Sequence, residues 1–187
     1  MSRTPRVISS SGIYHVMMRG INHQDIFHDS TDYNYFLSVM GRTRLKRGLN
    51  KQVIGSNCYY YAYCLMSNHI HLLIQEGLDT VSNIVKRITI SYVYYYNHKY
   101  QRDGHLFKER YRSEPVNDMS YFTMLLRFIH RNPVEAQIVK KVIDYPYSSW
   151  REYCSNAKDD MMICNTKAVL HRITFPELEE MVNAPLG

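Results

Sequence analysis

The chain has 187 residues, of which 45% are hydrophobic and 21% charged, enough for one domain with its own core and too apolar for a disordered protein. Its net charge of +6 favours a polyanionic partner. The four cysteines form no CxxC pair, which argues against a zinc site and a disulfide framework and predicts a cytoplasmic protein. Residues 1–11 contain no apolar signal core, and no apolar run reaches the about 18 residues that span a membrane.

The first third of the chain predicts a strand followed by a helix. Residues 12–18 are predicted to form the first strand, and Arg19 to Asn22 are typical of a turn. Asp29, Ser30 or Thr31 then caps a helix that we expect to run to about Lys46.

The middle of the chain predicts a hairpin followed by a second helix. Residues 52–65, rich in tyrosine, form a long predicted strand. Ser67-Asn68 is a plausible tight turn, and residues 69–75 return as the second strand of the hairpin. Residues 80–100 then show the apolar stripe of a helix capped near Thr80 or Ser82.

A further strand is predicted over residues 106–116, and a helix from Asn117 or Asp118 to Ile129, which Pro133 interrupts before a short second helix. The order strand, helix, strand, strand, helix, strand predicts an α+β fold of the ferredoxin-like or RRM-like type. Such a fold has an antiparallel sheet with helices on one face, here followed by a C-terminal helical extension. We expect residues 1–153 to form the domain and residues 154–187 a tail that packs on it.

The triplet His69-Ile70-His71 begins the second hairpin strand. Residues i and i+2 of a strand point to the same face, so the two imidazoles stand side by side and can share one divalent ion. An HxH triplet is a weak motif by itself, because most histidines belong to the surface or the core. The strand-like residues on both sides of it, Tyr59–Leu65 and Leu72–Ile74, strengthen the metal interpretation.

Basic residues interleaved with tyrosines predict a surface for single-stranded DNA, through phosphate contacts and base stacking. The alternative is a solvated basic face with tyrosines at the edge of the core. On the predicted strand 106–116, Lys108, Arg110 and Arg112 alternate and therefore share a face. The candidate DNA-binding residues are Lys86, Arg87, Lys108, Arg110 and Arg112.

Five segments resemble, in the same order, motifs of the HUH single-tyrosine transposases, and in particular of the REP-associated tyrosine transposases. These segments are RGINHQDIF, MSNHIHLLI, GHLFKERYRSEPV, FIHRNPVEAQIV and DYPYSSWREY, and together they lie within about residues 10–153. The resemblance implies DNA transposition by cleavage and strand transfer of hairpin or single-stranded DNA, with Mg²⁺ or Mn²⁺ held by His69 and His71. In this family a tyrosine oxygen attacks the scissile phosphate and leaves a free 3′-OH. The resemblance leaves open a monomer or a homodimer.

The sequence departs from the family where the nucleophile is expected, because the Tyr-Ile-x-x-Asn-Pro motif begins here with Phe128. Phenylalanine has no oxygen with which to attack. Three explanations fit: an engineered substitution, a natural protein that binds DNA without cutting it, or another tyrosine, Tyr121 first, acting as the nucleophile. The two main hypotheses are therefore a DNA strand transferase and a catalytically inactive, hairpin-specific DNA-binding protein. A third, an RNA-binding ferredoxin-like protein, would leave the HxH pair unexplained.

Asn132 lies four residues after Phe128 and therefore on the same side of a helix that continues that far. In related enzymes an amide at this spacing is the third metal ligand. A residue directly before a proline is also typical of a helix N-cap, so both roles remain open for Asn132.

Overall fold

The computed structural model describes residues 7–155 and 162–185. The first residues of the expected polar N-terminus and part of the expected tail, 156–161 and 186–187, lie outside the described residues. Four antiparallel strands form the main sheet, in the order β4-β5-β1-β6. These strands are Ile13–Arg19 (β1), Cys58–Leu65 (β4), His69–Glu76 (β5) and Arg112–Pro115 (β6). The predicted ferredoxin-like arrangement is confirmed, with β1 and β5 in the centre.

The register between the two central strands decides which residues share a face. Arg19 of β1 is opposite His69 of β5, and Met17 is opposite His71. Because successive strand residues alternate, His15, Met17 and Arg19 lie on the same face as the two histidines. Tyr14, Val16 and Met18 are buried in the hydrophobic core on the opposite face.

Two helices cover the Val16 face of the sheet, as predicted. Ser30–Arg44 (α1) begins at Asp29, whose carboxylate accepts hydrogen bonds from the backbone amides of Thr31 and Asp32. Val81–Lys99 (α2) begins at Thr80, whose hydroxyl accepts from the amide of Asn83. Both helices bury their apolar stripes in a core formed with Val16, Met18 and the strands beside them.

The remaining helices cover the opposite face, the one that carries the two histidines. Met119–Glu135 (α3) packs its Phe122, Leu125, Leu126 and Ile129 against Leu73 and the neighbouring strand residues. The C-terminal helices Trp150–Cys154 (α4), Thr166–Leu170 (α5) and Phe175–Asn183 (α6) contribute to the same core. The sheet therefore lies between two helical layers, and the division at residue 153 stays a prediction.

Among residues 7–155 and 162–185, no helix is long and apolar enough to cross a membrane.

The segment after α1 differs from the prediction. The helix ends at Arg44, and Leu45–Arg47 (β2) pairs with Val53–Ser56 (β3) in a separate two-stranded sheet. The long strand expected over residues 52–65 is consequently two strands. Asn57 explains the break, because its backbone amide donates to the carbonyl of Arg44 at 2.7 Å and its side chain donates to that of Thr43 at 3.0 Å.

The strand expected over residues 106–116 is also wrong in extent, because β6 begins only at Arg112. Leu106 and Phe107 both bury their side chains in the core of α1 and α2, which successive residues of a regular strand cannot do. Lys108 and Arg110 therefore lie in a loop. The inference that Lys108, Arg110 and Arg112 share one face of a strand is incorrect.

Pro133 does not interrupt the last predicted helix, since α3 runs through it to Glu135. The proline lies in the final turn, where its missing amide costs a single hydrogen bond to the carbonyl of Ile129. The amide of Ala136 still donates to the carbonyl of Asn132 at 3.0 Å. Asn132 is therefore inside the helix, and its interpretation as an N-cap is overturned.

Candidate metal and DNA site

The candidate site lies where the start of β5 meets the C-terminal half of α3. His69 and His71 point to the same face of the sheet, as the strand register requires, and their ring centroids are 5.2 Å apart. Arg112 of β6 pairs with Met17 and so belongs to the same face. The sheet thus brings two imidazoles and two arginines, Arg19 and Arg112, to one face.

His71 is a buried, neutral imidazole. It is only 7% exposed, and burial lowers its pKa to about 3, with smaller contributions from the neighbouring His15 and His69. Its Nδ1 lies 3.0 Å from Nε2 of His15. An imidazole that shares Nδ1 with a hydrogen-bond partner and carries no charge leaves Nε2 as the atom that can bind a metal.

His69 is half-buried and hydrogen-bonded through its Nδ1, which lies 2.6 Å from the side-chain oxygen of Asn68. Because an amide oxygen only accepts, Nδ1 carries the proton and Nε2 keeps its lone pair. Burial lowers the pKa of His69, although Asn132 opposes the shift.

The lone pair of His69 faces a second acceptor. Oδ1 of Asn132 lies 3.3 Å from Nε2 of His69. Two acceptors at this separation have no proton to share in the tautomer set by Asn68, whereas a cation between them would satisfy both. This donor set fits a divalent ion, because imidazole nitrogen and amide oxygen are both ligands of divalent ions in proteins.

Position 128 faces the histidines. The ring of Phe128 meets that of His71 edge-on at a centroid distance of 5.2 Å, and that of His15 at 6.1 Å. Phe128 is half-buried beside the main apolar stripe of α3. Since Asn132 follows one turn later, α3 presents position 128 and the amide to the two histidines together.

A cavity of about 300 Å³ opens beside the histidines. The charged residues that line it are Arg19, Lys108, Glu109 and Arg112, together with His69 and His71. Nε of Arg112 contacts the carboxylate of Glu109 at 3.0 Å, which leaves a net positive rim. A basic cavity next to two neutral imidazoles can hold the phosphate of a nucleic acid.

The other predicted DNA-binding residues lie further from the histidines. Arg110 lines a second groove, which is formed with Ile90 and Tyr94 of α2 and meets the first cavity at Lys108. Lys86 and Arg87 belong to α2, on the other face of the sheet. Arg87 forms an ion pair of 2.6 Å with Asp79 at the start of that helix.

Sequence reasoning missed two residues of the site, His15 and Arg19. Both belong to β1, and only the pairing of β1 with β5 shows that they face His69 and His71. The signal that could have found them is the alternation of His15, Met17 and Arg19 within a strand, once a neighbouring strand carries HxH.

Within the part of the chain that the structure describes, no group of three or more His, Cys, Asp or Glu side chains converges as a metal site would. The candidate site instead combines two histidines with the amide of Asn132.

Comparisons with known proteins identify the family and the fold. The family model described as "Transposase IS200 like" matches residues 9–132. This chain therefore belongs to the family of IS200-like transposases. A solved structure, described as "Structure of the REP associates tyrosine transposase bound to a REP hairpin", is similar with a TM-score of 0.65 and 17% sequence identity. The match covers 86% of this chain and 94% of that chain, and it shows the same fold. A search of curated proteins found no match.

Proposed function

We propose that this chain carries a metal-dependent site for cleavage and strand transfer of hairpin or single-stranded DNA, in which Phe128 occupies the position of the nucleophile. One observation carries the proposal. The helix α3 presents position 128 and Asn132 to the paired imidazoles of His69 and His71, with 3.3 Å between Asn132 and His69 and 5.2 Å between the rings of Phe128 and His71.

Nε2 of His69, Nε2 of His71 and Oδ1 of Asn132 would hold Mg²⁺ or Mn²⁺. When bound, the ion would neutralise the negative charge that develops on the phosphate oxygens during the reaction. Arg19, Lys108 and Arg112 bind the neighbouring phosphates and orient the strand across the cavity. The basic balance of the chain agrees with such a polyanionic partner.

A tyrosine at position 128 would perform the covalent step. Its hydroxyl oxygen gives up its proton to solvent and forms a bond to phosphorus while the bond from phosphorus to the 3′-oxygen breaks. The departing oxygen takes up a proton from solvent as a 3′-OH, so the protons balance. The 5′-phosphotyrosine conserves the bond for rejoining. Phe128 lacks this oxygen, so the chain with phenylalanine here positions DNA without cutting it through this residue.

A second candidate function is DNA binding without cleavage, and Phe128 itself is the observation that favours it. Tyr121 does not replace the missing hydroxyl in this geometry. Its hydroxyl donates to Oε2 of Glu114 at 2.8 Å, and burial together with Glu114 raises its pKa to about 12. A phenol held in that way is a poor nucleophile at neutral pH.

The test is incubation of the Phe128→Tyr variant with Mn²⁺ and a hairpin oligonucleotide labelled at its 3′ end, followed by denaturing electrophoresis. The 3′ label is required because a 5′-phosphotyrosine retains the 3′ part of the strand. We expect a covalent adduct for Phe128→Tyr and none for the parent chain, since the variant adds one oxygen to a ring already beside His71.

The matched control is the triple variant Phe128→Tyr/His69→Ala/His71→Ala, which should bind the hairpin and form no adduct. An adduct from the parent chain would identify another tyrosine as the nucleophile. Intact hairpin binding with no adduct from Phe128→Tyr would favour the binding function over the strand transferase.

A further inference from the structure

His15 is a buried polar residue in the middle of β1, between the candidate metal site and an exposed carboxylate. It is 3% exposed, and its ring stacks on that of His71 at 5.2 Å with 20° between the planes. Nε2 of His15 lies 3.0 Å from Nδ1 of His71. On the other side, Nδ1 of His15 lies 3.7 Å from Oε2 of Glu114, the residue opposite it on β6.

The positions of the protons on the two rings follow from what each neighbour can accept. The carboxylate of Glu114 only accepts, so the proton of His15 belongs on Nδ1, which lies 3.7 Å from Oε2 of Glu114. Nδ1 has no hydrogen-bond partner among the described residues. Nε2 of His15 is then an acceptor, and Nδ1 of His71 must donate to it. The opposite arrangement would direct the lone pair of Nδ1 of His15 at the negative carboxylate of Glu114, which is unfavourable.

Glu114 is itself held in place. The hydroxyl of Tyr121, in the first turn of α3, donates to Oε2 of Glu114 at 2.8 Å. The result is a chain of contacts from Tyr121 through Glu114 and His15 to His71, joining α3, β6, β1 and β5. Asn68 has the corresponding role for His69, whose Nδ1 it contacts at 2.6 Å.

We propose that His15 is a positioning residue that fixes His71 as the Nδ1–H tautomer and so keeps Nε2 of His71 free to bind the divalent ion. The inference rests on the proposed metal site. Partners of this kind orient a metal-binding histidine and raise its basicity, and their loss costs 10- to 100-fold in metal affinity as an order of magnitude.

The first test needs no variant. Two-bond proton–nitrogen correlation spectra of the ¹⁵N-labelled parent chain, recorded near neutral pH without metal, distinguish the two tautomers of each neutral histidine. We expect the pattern of the Nδ1–H tautomer for His71. The Nε2–H tautomer at His71 would overturn the proposal.

The second test is calorimetric titration of Mn²⁺ into the parent chain, His15→Leu and His15→Gln. Leucine removes the acceptor, so Mn²⁺ should bind about 10- to 100-fold more weakly. Glutamine places an amide oxygen at a similar reach, and affinity should return to within a few-fold of the parent, which a merely structural role would not explain. Equal affinity of His15→Leu and the parent would refute the role of His15 and leave the metal site standing.

A parent chain that binds no Mn²⁺ would instead remove the metal site, and the role of His15 with it. Hairpin binding in the presence of EDTA serves as the check that each variant is folded. Should His15→Leu fail that check, the His71 tautomer in the parent chain alone decides for or against the proposal.

Discussion

At the scale of single residues, burial keeps two histidines of the α3 face neutral. His71, in the candidate site, and His130, fully buried on α3, both have pKa values lowered to about 3, in each case mainly by burial. The unfolded chain takes up these protons near the ordinary pKa of 6.5, whereas the folded chain does not until about 3. The contribution of these two histidines to the free energy of unfolding is therefore fully present above about pH 6.5. It is lost progressively as the pH falls towards 3.

His130→Gln tests this linkage. Nε2 of His130 lies 2.8 Å from the hydroxyl of Ser149, and a glutamine amide can also donate to that oxygen. The free energy of unfolding of the parent should fall between pH 6 and 4 more steeply than that of the variant, by about 1.4 kcal/mol per pH unit for the one proton. Urea unfolding at a series of pH values measures it, and parallel pH profiles for the two proteins would contradict the assignment.

The residues of the candidate site were predictable only in part. The alternation of a strand places His69 and His71 on one face whatever the sheet around them, and helical spacing relates Phe128 to Asn132. Arg19 and His15 reach the site through the register of β1 with β5, which local sequence does not specify. Asn132 was ambiguous because a residue before proline suits a cap, and only the continuous helix excludes the cap.

At the scale of elements, α3 carries position 128 and Asn132, and its N-terminus depends on one side chain. The carboxylate of Asp118 accepts a hydrogen bond of 2.7 Å from the amide of Tyr121. This contact satisfies one of the backbone donors that a helix start leaves free, and the negative charge interacts favourably with the helix dipole.

Asp118→Ala should lower the free energy of unfolding by about 1 kcal/mol, within the range of 0.5–2 kcal/mol typical of removing an N-cap. Asp118→Ser keeps an acceptor and should recover most of that loss. Chemical denaturation of the three proteins measures the differences. A loss of stability in Asp118→Ser equal to that in Asp118→Ala would show that the cap is not the cause.

The elements that were predicted well are those whose signal is local. Helix α2 has a threonine cap and a long apolar stripe, and both ends agree with the structure. The length of strand β6 was overestimated because Leu106 and Phe107 are apolar residues that pack into the core of α1 and α2 and do not belong to the strand. The hairpin of β2 and β3 was missed, since side-chain and backbone contacts of Asn57 with the end of α1, rather than any pattern within the segment, divide it from β4.

At the scale of the whole molecule, the cavity at one end of the sheet has a basic rim. Arg19, Lys108 and Arg112 surround the cavity beside the histidines. The hairpin of β2 and β3 lies towards the other end, because β3 leads into β4 at Cys58, which pairs with Glu76 at the end of β5 away from His69. Lys46 on β2 is an exposed cation far from the cavity, so it serves as the control for a charge that does not line the cavity.

Hairpin DNA binding should weaken with salt, and Arg112→Gln should reduce the slope of log K against log [salt] by about 0.7–0.9, because one phosphate is no longer neutralised. Lys46→Gln removes the same charge at a distance and should leave the slope unchanged. Fluorescence anisotropy at several salt concentrations measures both. An equal reduction of the slope by the two variants would mean that net charge, and not the cavity, determines binding.

The two faces of the central strands also govern which length changes the gene can tolerate. Between residues 13 and 19, odd positions supply the histidine face and even positions supply the core of α1 and α2. Deleting a single residue within this stretch would turn the residues on one side of the deletion to the opposite face of the sheet. Arg19 or His15 would then point into the hydrophobic core, or Val16 would point towards the cavity. Insertions in the exposed turn of residues 48–51, the connection between β2 and β3, do not change this parity. Surviving homologous genes should therefore differ in length at that connection and keep β1 and β5 free of single-codon gaps.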